Sequence, residues 1–168
     1  MTTANTLPAE LTRLAKACAA LLVARKETIG VSESSAGGLV SAALLSVPGA
    51  SAYFLGGSVT YARPAARVFM GIEKLPEGMR SSSEPYAALM AGRVRERLAA
   101  TWGLCETGAA GPTGNGYGDA AGHSCMATAG PVALLRTLET ASGDREGNMI
   151  AFALATLTLL HEALKTAR

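Results

Sequence analysis

The chain contains few of the residues that characterise several common protein classes. Among its 168 residues are three cysteines and two histidines, and aromatic residues make up 5%. No two cysteines form a C-x-x-C pair, so neither a zinc site nor a disulfide scaffold is expected. Charged residues make up 17%, below the roughly 25% typical of globular domains. The formal net charge of +2 is too small to predict a nucleic-acid partner.

The sequence also shows no clear targeting or membrane segment. Met1–Asn5 is polar and lacks the apolar run of a secretory signal. The apolar stretch Ala151–Leu160 is too short to cross a bilayer. We therefore predict a cytoplasmic protein with reduced thiols, no metal, no cofactor and no membrane contact. The low charge and the apolar closing segment also predict a homo-oligomer, because partner subunits would cover part of the surface.

Hydrophobic residues make up 49% of the chain, and 19 residues are glycine. A chain of this length forms one domain and buries about two thirds of its unfolded surface. Helical and strand periodicities alternate along it, which predicts a layered α/β domain. Two strands around Gly130-Pro131 favour a mixed sheet. Helices are predicted over 8–24, 39–45, 65–70, 84–101 and 144–167, and strands over 28–32, 53–61, 104–109, 122–128 and 132–140.

The first candidate site is the segment Glu33-Ser34-Ser35-Ala36-Gly37-Gly38, between a predicted strand and a predicted helix. Backbone N–H groups at the start of a helix can bind an oxyanion or a phosphate. Glycines at this turn would let a ligand approach the backbone. The alternative is that Ser34 or Ser35 only caps the helix.

Two further patches have functional and structural interpretations. Tyr61 ends a predicted strand and can present its phenol to a cleft, or it can be a half-buried tyrosine with one hydrogen bond. The glycine-rich segment 107–114 is a candidate phosphate cradle, or a surface turn. It is not a P-loop, because no Lys-Ser/Thr pair follows. His123 lies nearby in the sequence without a visible cluster of partners.

The order and spacing of these patches resemble the CinA C-terminal domain family, the nicotinamide-nucleotide amidases. The resemblance extends from about Leu11 to Leu164, and it implies a three-layer sandwich with a mixed, mostly parallel sheet flanked by helices. It also implies a single domain over 1–168, without the N-terminal molybdopterin-binding-like domain of larger relatives. The segments that carry the resemblance are SESSAGGL from Ser32, PGASAYF from Pro48, GSVTY from Gly57, GAAGPTG from Gly108 and SGDR from Ser142.

The family hydrolyses the carboxamide of nicotinamide mononucleotide to nicotinic acid mononucleotide and ammonia. The resemblance implies that Ser34 is the nucleophile and that Tyr61 matches the family tyrosine, which would orient the substrate or relay a proton. Acyl transfer also needs a base and donors for the oxyanion. The substrate-binding positions that the resemblance implies are Glu33, Ser35, Gly37, Gly38, Arg63, Gly108, Gly111, Pro112, Thr113, Gly114 and Arg145.

The chain departs from the family pattern at three positions of the site. Ala36 stands at a threonine, Arg63 at an asparagine and Ala66 at the lysine that would act as general base. Arg67 is adjacent, but a guanidinium stays protonated and is a poor base. These departures predict, as alternatives to an amidase, a binding module without turnover or an oligomeric interaction protein. In a binding module, Arg63 could hold a phosphate or carboxylate. In an enzyme, another lysine, such as Lys26 or Lys74, could reach the pocket in place of the missing base.

Overall fold

A computed structural model describes residues 7–167 of the chain. Residue 168 and residues 1–6, where the sequence predicts no leader segment, lie outside the described residues. Every predicted helix and strand is found, with ends that shift by a few residues. The helices are α1 (Ala9–Arg25), α2 (Leu39–Leu45), α3 (Arg63–Met70), α4 (Glu84–Leu98) and α5 (Arg145–Thr166). The strands are β1 (Ile29–Glu33), β2 (Phe54–Val59), β3 (Trp102–Ala109), β4 (His123–Ala129) and β5 (Leu135–Glu139).

The five strands form one sheet in the order β2-β1-β3-β4-β5. Strand β1 pairs in parallel with β2 and β3, whereas β3, β4 and β5 form an antiparallel meander. The predicted mixed sheet is confirmed. Its pairs divide evenly between parallel and antiparallel, because the connections after β3 contain no crossover helix, which a parallel pair usually requires.

Helices cover both faces of the sheet, so the predicted three layers are present. Helices α1, α2 and α5 pack over one face, with Trp102 and Phe152 fully buried beneath them. Helix α4 packs on the other face, with α3 beside it. Gly103 allows α4 to lie close to β3, since a Cβ added there would be 1.9 Å from the Ala91 carbonyl oxygen. The scarcity of large aromatic residues is therefore matched by close helix–sheet contact.

Helix α5 is longer than its apolar stretch suggests. Its 22 residues make it long and apolar enough to span a membrane by length and composition, and half of the apolar window is buried inside the domain. That burial is typical of a core helix. Cys18 of α1 also faces the core, as predicted, and burial raises the pKa of its thiol to about 12.

The parallel arrangement of β1, β2 and β3 brings their carboxyl ends to one edge of the sheet. In α/β sheets, ligands commonly bind at such an edge. Ser34 follows β1, Tyr61 follows β2 and Ala110 follows β3. The fold therefore places the three predicted patches next to one another, although they are far apart in the sequence.

Candidate functional site

The turn that carries Ser34 spans residues 34–38 and is called the serine turn below. Neither Ser34 nor Ser35 caps α2, so the capping alternative is wrong: Gly38 holds the cap position, with φ of +98°. The carboxylate of Glu33 takes the capping role. It accepts hydrogen bonds from the N–H groups of Gly38 (3.0 Å), Val40 (3.0 Å) and Ser41 (2.8 Å) and from the Ser41 hydroxyl.

A second carboxyl group lies under the same turn. Glu106, in the middle of β3, accepts hydrogen bonds from the N–H groups of Ser34 (3.1 Å) and Ala36 (2.8 Å). The hydroxyls of Ser35 (2.6 Å) and Ser124 (2.9 Å) also donate to it. Several N–H groups expected to bind an oxyanion or phosphate are therefore already bound to the protein's own carboxyl groups. Sequence reasoning did not single out Glu106, whose signal is a charged residue inside an otherwise apolar strand.

The serine turn borders a cavity of about 820 Å³. Of the predicted site residues, Ser34, Tyr61, Arg63 and Gly108 line it. Glu33 and Ser35 are buried beneath the turn, and Gly37, Gly38, the 111–114 segment and Arg145 lie outside the cavity lining. The opposite wall consists of α3 and the segment between α3 and α4, residues 71–83, which is called the 71–83 segment below.

Tyr61, Gly111 and Arg145 come together at the rim, although sequence positions 61 and 145 are distant. The guanidinium of Arg145 donates to the Gly111 carbonyl (2.6 Å) and to the Tyr61 hydroxyl (3.2 Å). The Tyr61 side chain is 63% exposed, so it is not the half-buried tyrosine of the alternative interpretation. Arg145 thus links the strand-end tyrosine to the start of the glycine-rich segment.

The glycines of that segment have local structural reasons. A Cβ added at Gly114 would be 2.1 Å from the Asp119 carbonyl oxygen. At Gly111, φ is +108° and a Cβ would be 3.0 Å from the Gly143 carbonyl oxygen. The segment closes on itself through Asn115, whose side chain binds the Asp119 carboxylate at 2.8 Å. Close backbone approach explains these glycines, and the role as phosphate cradle stays a prediction.

The 71–83 segment is attached to the rest of the domain by the side chains of Asp119, which follows the glycine-rich segment, and of His123 in β4. The guanidinium of Arg80 donates to both oxygens of Asp119, at 2.8 Å for Nη2. His123 Nε2 lies 2.9 Å from the Ser82 carbonyl oxygen, and its Nδ1 contacts Glu139. His123 therefore has the cluster of partners that the sequence did not reveal. Burial lowers its pKa, but hydrogen bonds to Glu139 and Ser82 outweigh that effect, so the pKa is raised.

Tyr117 is a cavity residue that sequence reasoning missed. Its ring lines the cavity, and the guanidinium carbon of Arg80 lies 5.7 Å from the ring centroid. Hydrogen bonding to Ser81 and to Arg63 lowers the pKa of the phenol. Its only sequence signal is an aromatic residue between two glycines.

The comparisons with known proteins agree with the geometry. The model of the CinA C-terminal domain matches residues 11–164. The chain belongs to the CinA C-terminal domain family. A CinA-like protein of Gloeobacter violaceus is 40% identical over 137 residues, which cover 80% of this chain and 32% of that protein. A CinA-like protein of Desulforapulum autotrophicum is 36% identical over 146 residues, covering 86% and 34%. The chain thus spans about a third of the length of these curated relatives.

Solved structures of the CinA family share the fold. The competence/damage-inducible protein CihA of Agrobacterium tumefaciens superimposes with a TM-score of 0.87 at 26% identity, covering 96% of this chain and 99% of that one. A CinA superfamily protein of Enterobacter cloacae gives a TM-score of 0.84 at 26% identity, covering 98% and 96%. The three-layer arrangement is therefore that of the CinA family.

The position where the CinA resemblance implies a lysine is Ala66, and its side chain lines the cavity. Within residues 7–167, no hydrogen bond joins the Ser34 hydroxyl to a basic side chain. Of the two other lysines considered from the sequence, Lys74 lines the cavity, whereas Lys26 ends α1 and is not part of the lining. The cavity therefore presents a serine hydroxyl without an attached base.

Proposed function

We propose that this CinA-family chain binds nicotinamide mononucleotide or a related anionic mononucleotide in the cavity beside Ser34. One observation carries the proposal: Ser34 and Tyr61 face a cavity of about 820 Å³ that also contains Arg63, Arg67 and Lys74. Cavities that bind small molecules commonly measure about 300–1,000 Å³. The volume and the cationic side chains together suit a phosphorylated small molecule.

The two sides of the cavity suit different ends of such a ligand. Guanidinium groups pair well with phosphate, so the phosphate would bind on the side of Arg63 and Arg67. Glu73 and Glu77 lie in the same wall and reduce the positive charge without cancelling it. The carboxyl groups of Glu33 and Glu106 behind the serine turn disfavour an anion there, which leaves that side for the uncharged carboxamide.

We further infer that hydrolysis of the carboxamide is slow or absent. A serine hydroxyl is a weak nucleophile without a base, and Ala66 supplies none. Losing the activating member of a catalytic unit typically reduces the rate by about 10³ or more. The N–H groups of Ser34 and Ala36 are already bound to Glu106, so they are not free to stabilise an oxyanion.

Amide hydrolysis is the second candidate function, because Lys74 lies in the same cavity as Ser34. In that reaction the Ser34 oxygen would attack the carboxamide carbon and give up its proton to a base. The amide nitrogen would take up a proton and leave as ammonia. Water would then hydrolyse the resulting ester, which releases nicotinic acid mononucleotide and restores Ser34. This candidate differs from the first only in turnover.

Calorimetry with nicotinamide mononucleotide tests binding. We expect saturable binding by the wild type, and affinity lower by about tenfold or more for Arg63→Met, which removes a charge-assisted contact with the phosphate. Arg93→Met is the matched control, because Arg93 pairs with Glu96 on the exposed side of α4. Nicotinamide riboside, which lacks the phosphate, should bind more weakly. Wild-type protein that binds none of the mononucleotides would contradict the proposal.

Ammonia release separates the two candidates. We expect the rate for wild-type protein to exceed that of Ser34→Ala by little or not at all. A wild-type rate well above that control, and lost in Lys74→Met, would establish the amidase instead. Both assays use the same preparations, so binding and turnover are compared on identical protein.

The assembly and location of the chain extend the proposal. Exposed apolar side chains cluster around β2 and α3, namely Leu55, Val59, Tyr61, Val68 and Phe69. Such a patch favours a homo-oligomer, and we expect light scattering at micromolar concentration to show more than one subunit. Cys18, Cys105 and Cys125 are free and buried, in keeping with the cytoplasmic location expected for the chain. We expect neither nucleic acid nor a membrane among its partners.

A further inference from the structure

Three of the four hydrogen bonds to the Glu106 carboxyl group come from the serine turn. Its side chain is buried, at 1% exposure, and extends from β3 beneath the end of β1. Oε2 receives the N–H groups of Ser34 and Ala36, and Oε1 receives the hydroxyls of Ser35 and Ser124. A carboxylate has about four lone-pair sites, so this carboxyl group is saturated by the protein.

Packing alone does not account for a carboxyl group at this position. Burying an ionisable group costs free energy unless its hydrogen bonds are satisfied, and an apolar residue would fill the same space without that cost. Its immediate surroundings include Leu104 and Ala36, both fully buried. What the carboxyl group provides, and an apolar side chain cannot, is acceptors for two backbone N–H groups of the serine turn.

We propose that Glu106 is a positioning residue for Ser34, and that its carboxyl group fixes the serine turn by holding the N–H groups on either side of Ser35. The neighbouring Ser34 hydroxyl is thereby kept at the cavity wall. The role in ligand binding rests on the proposed function, whereas the effect on the turn does not. Positions 34 and 106 are far apart in the sequence and meet only through the pairing of β1 with β3, so the sequence alone does not reveal this contact.

Two substitutions separate the geometry of the carboxyl group from its charge. In Glu106→Gln the amide oxygen can keep the N–H groups of Ser34 and Ala36, and the amide N–H₂ can donate to the hydroxyls of Ser35 and Ser124, which also accept. The turn is then kept without a titrating group. In Glu106→Ala all four donors lose the carboxyl group and face a small polar hole, and Ser124 keeps only its longer contact with the Thr107 carbonyl oxygen at 3.4 Å.

A small carboxylate should refill that hole. We expect 100 mM formate or acetate to raise the thermal unfolding midpoint of Glu106→Ala by several degrees relative to equal chloride, with little effect on the wild type. Leu104→Ala is the matched control, since it leaves a hole on the same strand without donors. An equal response in Leu104→Ala, or none in Glu106→Ala, would overturn the proposal.

Amide NMR signals give a readout that does not depend on overall stability. Burial raises the pKa of Glu106, and the four hydrogen bonds offset only part of that rise. The Ser34 and Ala36 amide signals should therefore titrate with this group in the wild type. In Glu106→Gln the Ser34 and Ala36 amide signals should not titrate. Their chemical shifts should stay near those of the wild type at either the high-pH or the low-pH limit. If Glu106→Ala does not fold, this comparison decides: signals that titrate equally in both proteins exclude Glu106 as the group that holds the turn.

The affinity for nicotinamide mononucleotide then connects the turn to the ligand. We expect a loss of tenfold or more in Glu106→Ala, partial recovery with acetate, and a value for Glu106→Gln nearer to the wild type. The stability and NMR measurements need no nucleotide. Absence of nucleotide binding in the wild type would therefore contradict the proposed function alone, whereas absence of acetate rescue would contradict the positioning role alone.

Discussion

The two walls of the cavity are built in opposite ways. The serine turn is held from beneath by Glu33 and Glu106, which are buried and together receive eight hydrogen bonds. The 71–83 segment is about half exposed. Its apolar side chains Ile72, Leu75 and Met79 pack against the core under α4, and its polar ties to the sheet are the contacts of Arg80 with Asp119 and of Ser82 with His123. The first wall is suited to fixed geometry, and the second, which carries Lys74, is suited to adjusting around a ligand.

The largest effect on stability should come from removing a carboxyl group that holds the serine turn. We expect Glu33→Ala to lower the free energy of unfolding by on the order of 3 kcal/mol, because the backbone N–H groups of Gly38 at the N-cap and of Val40 and Ser41 in α2 lose their acceptor. Denaturation by urea measures the loss. Glu27→Ala is the control, since within residues 7–167 the Glu27 carboxylate accepts one hydrogen bond, from the indole N–H of Trp102, and its loss should cost about 1 kcal/mol. Equal losses of unfolding free energy in Glu33→Ala and Glu27→Ala would show that the serine turn depends on its carboxyl groups no more than the rest of the domain does.

A smaller effect on stability should follow from weakening the attachment of the 71–83 segment. Asp119→Asn removes the charge that pairs with Arg80, at a cost of about 1–2 kcal/mol. We expect trypsin to cleave after Lys74 several-fold faster in this variant, because the 71–83 segment loses one of its ties. Glu96→Gln, which weakens the exposed pair with Arg93, should leave that cleavage rate unchanged. A cleavage rate equal to wild type in Asp119→Asn would show that the segment is held elsewhere.

The smallest effect should be a pH dependence carried by His123. Its pKa is raised in the folded protein, so its contribution to stability is fully present below about pH 6.5 and is lost as pH rises through the raised pKa. Asp119 and Glu139 face the imidazole ring, and the Cys125 sulfur lies 3.5 Å from it. We expect the wild-type thermal midpoint to fall more between pH 6 and 8 than that of His123→Gln. Parallel pH profiles would assign the effect to another group.

The sequence predicts the elements of this fold well because each has a local signal. The strand, small-residue turn and helix around Ser34 follow one another directly, and Ser83 caps α4 immediately before Glu84 and Pro85. The contacts that make the site have no local signal. Glu106 reaches Ser34 and His123 reaches Ser82 only once strands and loops are assembled.

The family resemblance identifies the serine turn and the start of α3, but not the 71–83 segment. It implies Ser34, Tyr61, Arg63 and Gly108, all of which line the cavity. The 71–83 segment has no glycine motif or strand to mark it, and its place depends on where α3 ends and α4 begins. No predicted helix or strand covers this segment, although Lys74 and its neighbours form much of the cavity surface.

The buried carboxyl groups also decide how this domain opens. Loops that carry functional residues usually unfold locally at small free-energy cost. Here the N–H groups of Ser34 and Ala36 are bound to the buried carboxyl group of Glu106 on the central strand β3, so deuterium reaches them only when those hydrogen bonds break. We therefore expect these two amides to exchange more slowly than the exposed amides of the 71–83 segment.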